Sequence, residues 1–231
     1  MPQISAKTSF LAFTLIAIIT GCTTASQNQV QTGNSPAATN TGNKQDTPHS
    51  SDMAHSGSMN HSMAMDLGPA DANYDLRFID AMTLHHQGAV SMAKEAQQKS
   101  KRAEIKKLAS DIISAQNQEI NQLKQWLKTW YPQANNSPMM YDNNQTKMMQ
   151  MSSEQMKTMM MDKDLGSADA EFDLRFIDAM IPHHEGAINM AEDALNKSKQ
   201  AEIKKLAQNV ITSQKAEIEQ MNKWRQAWYK K

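Results

Sequence analysis

Between residues 103 and 130, large apolar side chains recur every three or four positions along a chain that is otherwise polar. The apolar positions are Ile105, Leu108, Ile112, Ile120, Leu123, Leu127 and Trp130. This spacing matches the turn of an α-helix and predicts one helix with a single buried stripe. A similar pattern before it predicts a helix from about Ala72 to Lys99. The short segment "KSKRAE" joins the two, so we expect an antiparallel hairpin.

The same pattern occurs twice in the chain. A shift of 98 residues aligns Asp66–Tyr131 with Asp164–Tyr229 without a gap, and 39 of the 66 positions are identical. One hairpin alone would leave an apolar face in water, whereas two hairpins can cover each other. The sequence therefore predicts an all-α fold, a four-helix bundle built from two repeated helical hairpins.

The repeat divides the chain into five segments. They are a signal peptide over 1–22, a flexible tether over 23–65, hairpins over 66–131 and 164–231, and a connection over 132–163. The tether is rich in Ser, Thr, Asn, Gln and Gly, so it cannot bury enough surface to fold and is expected to be disordered. The connection is rich in Met, and Ser152 with Gln155 predicts a capping box that begins a short helix.

The first 22 residues have the layout of a bacterial secretory signal. A single lysine, Lys7, precedes an apolar run from Phe10 to Ile19, which is too short to span a bilayer. Cys22 is the only cysteine and follows this run directly, at the place where a bacterial lipoprotein is lipidated. We therefore expect an exported lipoprotein, anchored to the membrane by acyl chains and facing the periplasm. Simple cleavage would instead give a soluble periplasmic or secreted protein.

Composition narrows the function classes. The chain has 24 basic and 24 acidic residues, so no charge excess points to nucleic acid. It contains neither a Gly-rich phosphate loop nor a nucleophile beside a base, and we expect that it is not an enzyme. It does contain 19 methionines. Methionine fills irregular cores, but its thioether also binds soft metal ions.

Two adjacent histidines stand in the first helix of each hairpin. At about 100° per residue, each pair shares the inward face of its helix with two methionines. The two sets are Met82, His85, His86 and Met92 in copy one, and Met180, His183, His184 and Met190 in copy two. A buried histidine is usually a hydrogen-bonded core residue, and a methionine stripe is usually packing. Two adjacent imidazoles are, however, costly to bury unless another group interacts with them. The sequence favours two Met-x-x-His-His metal sites that face each other in one bundle.

Two acidic residues lie near the first pair. Asp75 is about 20° from Met82 on the inward face, where it is a candidate to orient an imidazole. Asp80 is about 160° from Met82, and we expect it to be solvated or to form a salt bridge.

A third group of Met and His residues lies in the tether. Its members are Met53, His55, Met59, His61, Met63 and Met65. Their neighbours are Ser, Gly and Asn, so packing in a core does not explain them. Histidines alone would suit Zn or Ni equally well. Thioether and imidazole together favour Cu(I), with Ag(I) or Cu(II) as alternatives.

Two other functions were weighed against metal binding. A four-helix bundle with inward histidines is also typical of ferritin-like metal oxidases, whose sites need Glu-x-x-His on two helices. Here the residue three before His85 is Met82, and the residue three before His183 is Met180. The soft sulfur ligands count against a di-iron oxidase. An envelope adaptor without a metal is the other alternative.

The stretch "FDLRFIDAMIPHHEGAINMAEDAL" resembles the signature of a CopM-like family of bacterial periplasmic copper-binding proteins, long catalogued as a domain of unknown function. The family pattern is FIDxMIPHHxGAIxMA, and copy one departs from it at Thr83-Leu84. The resemblance covers Asp66–Tyr229 and implies a ferritin-like helical bundle, export, and Cu(I) sequestration or shuttling in copper tolerance. It implies Met180, His183, His184 and Met190 as ligands and, by the internal match, Met82, His85, His86 and Met92. A copper exporter or another copper protein is an expected partner.

Overall fold

The computed structural model describes residues 66–134 and 137–231. The helices are α1 Tyr74–Lys99, α2 Ala103–Trp130, α3 Ser153–Met160, α4 Phe172–Lys197 and α5 Ala201–Tyr229; the strands are β1 Met139–Asp142 and β2 Lys147–Gln150. The predicted signal peptide, Cys22, and the tether with Met53, His55, Met59, His61, Met63 and Met65 lie outside the described residues. No helix within the described ranges combines the length and apolar character needed to cross a membrane.

The predicted all-α bundle of two hairpins is confirmed. Helix α1 packs on α2, α4 packs on α5, and the two hairpins meet where α1 contacts α4. Each hairpin turn is closed by a serine after the first helix. Ser100 Oγ accepts from the Arg102 amide at 3.1 Å, and Ser198 Oγ accepts from the Gln200 amide at the same distance.

An arginine on the first turn of α1 and of α4 holds the segment before that helix; Arg77 is buried, whereas the Arg175 side chain is 35% exposed. Arg77 is fully buried and donates to the Leu67 carbonyl at 2.6 Å and to Asp71 at 3.0 Å. Arg175 donates to the Leu165 carbonyl at 2.7 Å and pairs with Asp169 at 3.0 Å. In both copies the guanidinium group donates to a backbone carbonyl and a carboxylate of the preceding segment. These contacts fix that segment against the start of α1 and of α4.

The connection between the hairpins contains a β-hairpin that the hydrophobic pattern does not predict. Strands β1 and β2 pair antiparallel, with Met139 opposite Gln150. Asp80 on α1 anchors this β-hairpin, because its Oδ2 accepts from the Met139 amide at 2.8 Å. The expectation that Asp80 is solvated or salt-bridged is therefore wrong: its side chain is buried under β1.

A short helix follows the β-hairpin and packs on α1. The predicted capping box is present at its start. Ser152 Oγ accepts from the Gln155 amide at 3.2 Å, and the Ser152 amide donates to Gln155 Oε1 at 2.8 Å. Met159 on α3 is buried against the bundle, so this amphipathic helix covers part of α1.

Two hydrophobic cores fill the bundle. The first core joins the first half of α1 to the second half of α4, and includes Phe78 and Ala191. The second core joins the second half of α1 to the first half of α4, and includes Ala93 and Phe176. Helices α1 and α4 therefore run antiparallel, and their midpoints meet between the two cores. The histidine pairs lie at those midpoints.

Candidate metal centre

The four histidines of the two repeats form one buried group, here called the histidine cluster: His85, His86, His183 and His184. The ring centroids of His85 and His183 are 3.8 Å apart, with 49° between the ring planes. Within each pair the centroids are 6.4 Å and 6.3 Å apart. None of the four residues is more than 1% exposed. The two pairs therefore meet in one cluster of rings at the interface of α1 and α4.

The four candidate methionines are fully buried, two in each hydrophobic core. Met82 belongs to the first core together with Met190 of the other repeat. Met92 belongs to the second core together with Met180. Each pair of thioethers thus combines both copies, because α1 and α4 are antiparallel.

Two glutamates that the sequence analysis missed contact the cluster. His184 Nε2 lies 2.6 Å from Glu217 Oε2 in a hydrogen bond, and His86 Nε2 lies 2.9 Å from Glu119 Oε2 at less favourable angles. Both glutamates lie on the second helix of their hairpin. The available signal was the repeat itself, because Gln-x-x-Glu occurs at 116–119 and again at 214–217.

A backbone oxygen holds the third ring. The Nε2 atom of His183 lies 3.1 Å from the carbonyl oxygen of Met160 at the end of α3. Asp75, which the sequence suggested as a partner for an imidazole, is buried, but no hydrogen bond joins it to any of the four rings. The residues that orient the rings come instead from α2, α5 and α3.

The cluster leaves several ring nitrogens without a protein partner. Among the described residues, no group hydrogen-bonds to Nδ1 of His85, His86, His183 or His184. Nε2 of His85 and Nε2 of His86 also lack a hydrogen bond, although the His86 atom lies 2.9 Å from Glu119 Oε2. Buried polar atoms are nearly always paired in native proteins. Four unpaired Nδ1 atoms in one interior are the donors that a bound cation would satisfy, so the residues present fit a metal ion.

The rings are held in the form that binds metals. Burial, and then the neighbouring His184, lowers the pKa of His183 to about 3. Burial and the neighbouring histidines also lower the pKa of His85 well below its usual value. Only the neutral imidazole carries a lone pair for coordination. The neutral imidazole is therefore the favoured form of His85 and His183.

Nitrogen and oxygen donors alone do not complete a site. Within residues 66–134 and 137–231, no three His, Cys, Asp or Glu side chains are arranged as a ligand set. A site in this interior would therefore draw on the methionines beside the cluster as well. Mixed imidazole and thioether donors suit soft ions such as Cu(I) and Ag(I).

One protein-family model matches this chain over two ranges, in agreement with the internal repeat. The model of a domain of unknown function, DUF305, matches residues 20–127 and 75–225. The chain belongs to the DUF305 family. This DUF305 chain also matches an uncharacterized protein of Acanthamoeba polyphaga mimivirus, at 44% identity over 50 residues. That match covers 22% of the chain and spans only 33% of the viral protein.

Solved structures of CopM share the fold of this DUF305 protein. The Cu(II)-bound form is 38% identical with a TM-score of 0.55. The Cu(I)-bound form is 36% identical with a TM-score of 0.52, and the Ag-bound form obtained by soaking is 35% identical with a TM-score of 0.53. Each covers 67% of this chain and 97% of the CopM chain. The predicted resemblance to a CopM-like family is confirmed.

Proposed function

We propose that this protein binds Cu(I), with Ag(I) as an equivalent soft ion, through the histidine cluster and the four buried methionines. The observation that carries the proposal is the set of four unpaired Nδ1 atoms, in a bundle that also buries the four candidate methionines completely. A protein interior keeps such atoms only at a cost unless a ligand pairs them. The likeness to CopM, solved with Cu(I), Cu(II) and Ag, supports copper as the ion.

The cellular role we propose is copper sequestration or transfer in the bacterial envelope. Cys22 would carry the lipid anchor, and the Met and His residues of the tether would capture ions near the membrane. The bundle would then hold them away from water, because its ring nitrogens are fully buried. A copper exporter or another copper protein is the partner that this role requires.

A Cu(I) retention experiment tests the binding. The chain beginning at Cys22 is dialysed against Cu(I) under reducing conditions, and bound copper is counted by native mass spectrometry. The wild-type chain should retain copper, and His183→Ala/His184→Ala should retain fewer ions. The variant His55→Ser/His61→Ser measures how many of the retained ions depend on the tether and not on the bundle. If wild-type protein retains none, or if loss of His183 and His184 changes nothing, the proposal is wrong.

The histidine cluster also has features that a ferritin-like metal oxidase would need. Glu119 and Glu217 bring carboxylate oxygens beside His86 and His184, which the sequence pattern did not predict. We propose a binding protein rather than an enzyme because the repeated motif supplies four buried methionines and no Glu-x-x-His pair. Oxygen consumption on addition of Fe(II) decides between them: a catalytic rate abolished by Glu119→Gln/Glu217→Gln would favour the oxidase.

A further inference from the structure

We infer that Glu119 and Glu217 are positioning residues that hold His86 and His184 with the proton on Nε2, so that Nδ1 is the atom each ring presents to a metal ion. This assignment rests on the proposed copper binding and deepens it, since it names the ligand atom and the groups that select it. It also makes a statement about the metal-free protein that can be tested by itself.

The geometry is clearest in the second repeat. Nε2 of His184 lies 2.6 Å from Oε2 of Glu217, and a carboxylate oxygen can only accept a hydrogen bond. The proton of this contact must therefore be on Nε2. A neutral imidazole carries one proton, so the lone pair is on Nδ1. Nδ1 of His184 is buried and has no partner among the described residues.

The first repeat places the same groups together. Nε2 of His86 lies 2.9 Å from Oε2 of Glu119, which occupies the position equivalent to Glu217. In both contacts the ring is fully buried while the glutamate side chain is 18–20% exposed. The carboxylate can thus reach the ring without the full cost of burying a charge. The same two residue types meet in both repeats, through a hydrogen bond in the second and through a 2.9 Å contact in the first.

The His183 ring is also held with its proton on Nε2, by a backbone carbonyl in place of a carboxylate. The carbonyl oxygen of Met160 can only accept, so the contact at 3.1 Å places the proton of His183 on Nε2 as well. His85, whose two nitrogens are both unpaired, is left as the ring without an assigned tautomer. Metal-binding histidines commonly donate their second N–H to a carboxylate or a backbone carbonyl. Glu119, Glu217 and Met160 supply both kinds of acceptor.

The tautomers can be measured in the metal-free full chain. Long-range ¹H–¹⁵N correlation spectra of ¹⁵N-labelled protein distinguish Nε2–H from Nδ1–H rings. We expect His86 and His184 to carry the proton on Nε2. In Glu119→Gln and Glu217→Gln the new amide can donate or accept, so the matching ring should show a mixture of tautomers. Wild-type rings protonated on Nδ1, or on both nitrogens, would overturn the assignment without any use of metal.

Metal affinity supplies the second readout. Loss of a group that orients a ligand usually lowers metal affinity by about 10- to 100-fold. We expect such a loss of Ag(I) affinity in each Gln variant, measured by competition with a chromophoric chelator. Glu219→Gln, at an exposed position of α5, is the charge-matched control. Equal affinities in the Glu217→Gln and Glu219→Gln proteins would refute the positioning role.

Failure of the two proposals can be told apart. If wild-type protein does not bind Ag(I), copper binding is wrong, whereas the tautomer spectra still decide the role of the glutamates. If wild-type binds Ag(I) but the Gln variants bind equally well, only the positioning role is wrong. Circular dichroism of each variant shows whether it folds, and the wild-type tautomer measurement needs no variant.

Discussion

The imidazole ring of His85 lies 3.8 Å from the ring of His183, although the two residues belong to different repeats. The duplicated motif has thus produced one shared cluster and not two independent sites. Each repeat supplies half of the nitrogens, and each pair of flanking methionines combines both repeats. Binding should therefore respond to substitutions in either copy as changes to the same site.

This sharing predicts coupling between the repeats. His85→Ala and His183→Ala should each weaken Ag(I) binding by about tenfold or more, equivalent to about 1.4 kcal/mol. The double variant should lose less than the sum, with a coupling energy of about 0.5–3 kcal/mol, because the rings are in contact. Competition titrations of the four proteins in the cycle measure it. Strictly additive losses would indicate two separate sites.

The methionines should matter for binding more than for folding. Met82→Leu/Met190→Leu removes two thioethers and nearly conserves volume, so each exchange should cost less than about 1.5 kcal/mol of unfolding free energy. Affinity for Cu(I) should nevertheless fall. Met221→Leu is the control, because Met221 is a buried core residue whose counterpart in the first repeat is already Leu123. If Met221→Leu weakened binding as much, the thioethers of Met82 and Met190 would have no special role.

The close packing of α3 on α1 should require glycine at position 88. A side-chain carbon at Gly88 would overlap the carbonyl oxygen of Met160 and approach His183 Nε2 to 3.2 Å. We expect Gly88→Ala to displace the end of α3 and to cost about 1–3 kcal/mol, more than the gain of about 1 kcal/mol from helix propensity. Urea unfolding measures the cost, and the tautomer of His183 reports the lost contact.

The second repeat offers a control for Gly88. Gly186→Ala is the equivalent substitution on α4, whereas α3 packs on α1. We expect the His183 tautomer in this variant to match the wild type. A Gly88→Ala protein with wild-type stability and an unchanged His183 ring would show that α3 adjusts freely.

Asp80 should make stability depend on pH. Burial raises the pKa of its carboxyl to about 6, above the unfolded value of 3.8, while the bond from the Met139 amide acts in the other direction. Folding therefore favours the protonated form, so this contribution is present below pH 3.8 and lost as pH rises through 6. Asp80→Asn should remove this part of the pH dependence and raise stability at pH 7.5 relative to wild type, by on the order of 1–3 kcal/mol.

Urea unfolding at pH 4 and pH 7.5 measures the effect of Asp80→Asn. The equivalent residue in the second repeat, Asp178, is exposed and lies 3.3 Å from Arg225. Asp178→Asn is therefore the control and should retain the wild-type contribution of Asp80. An equal pH response in wild type and Asp80→Asn would contradict the argument from burial.

Much of the fold could be predicted because its signals are local. The three- and four-residue spacing over 103–130 requires only the turn of a helix, and the structure has α2 at Ala103–Trp130. The capping box of Ser152 is likewise a relation between residues three apart. The β-hairpin has no comparable signal, and its contact with Asp80 joins residues 59 positions apart. An angular position on one helix cannot show that a distant strand will cover it.

The sequence by itself determined the two hairpins, the inward face of α1 and α4, and the presence of histidine and methionine on that face. These follow from helical periodicity and from the chemistry of single side chains. Only the tertiary structure decided that His85 meets His183, that Met82 joins Met190, and that Glu119 and Glu217 hold the outer rings. The physical reason is tertiary packing. Antiparallel packing of α1 on α4 brings together residues about one hundred positions apart, and packing within each hairpin brings each glutamate to its histidine, 33 positions away.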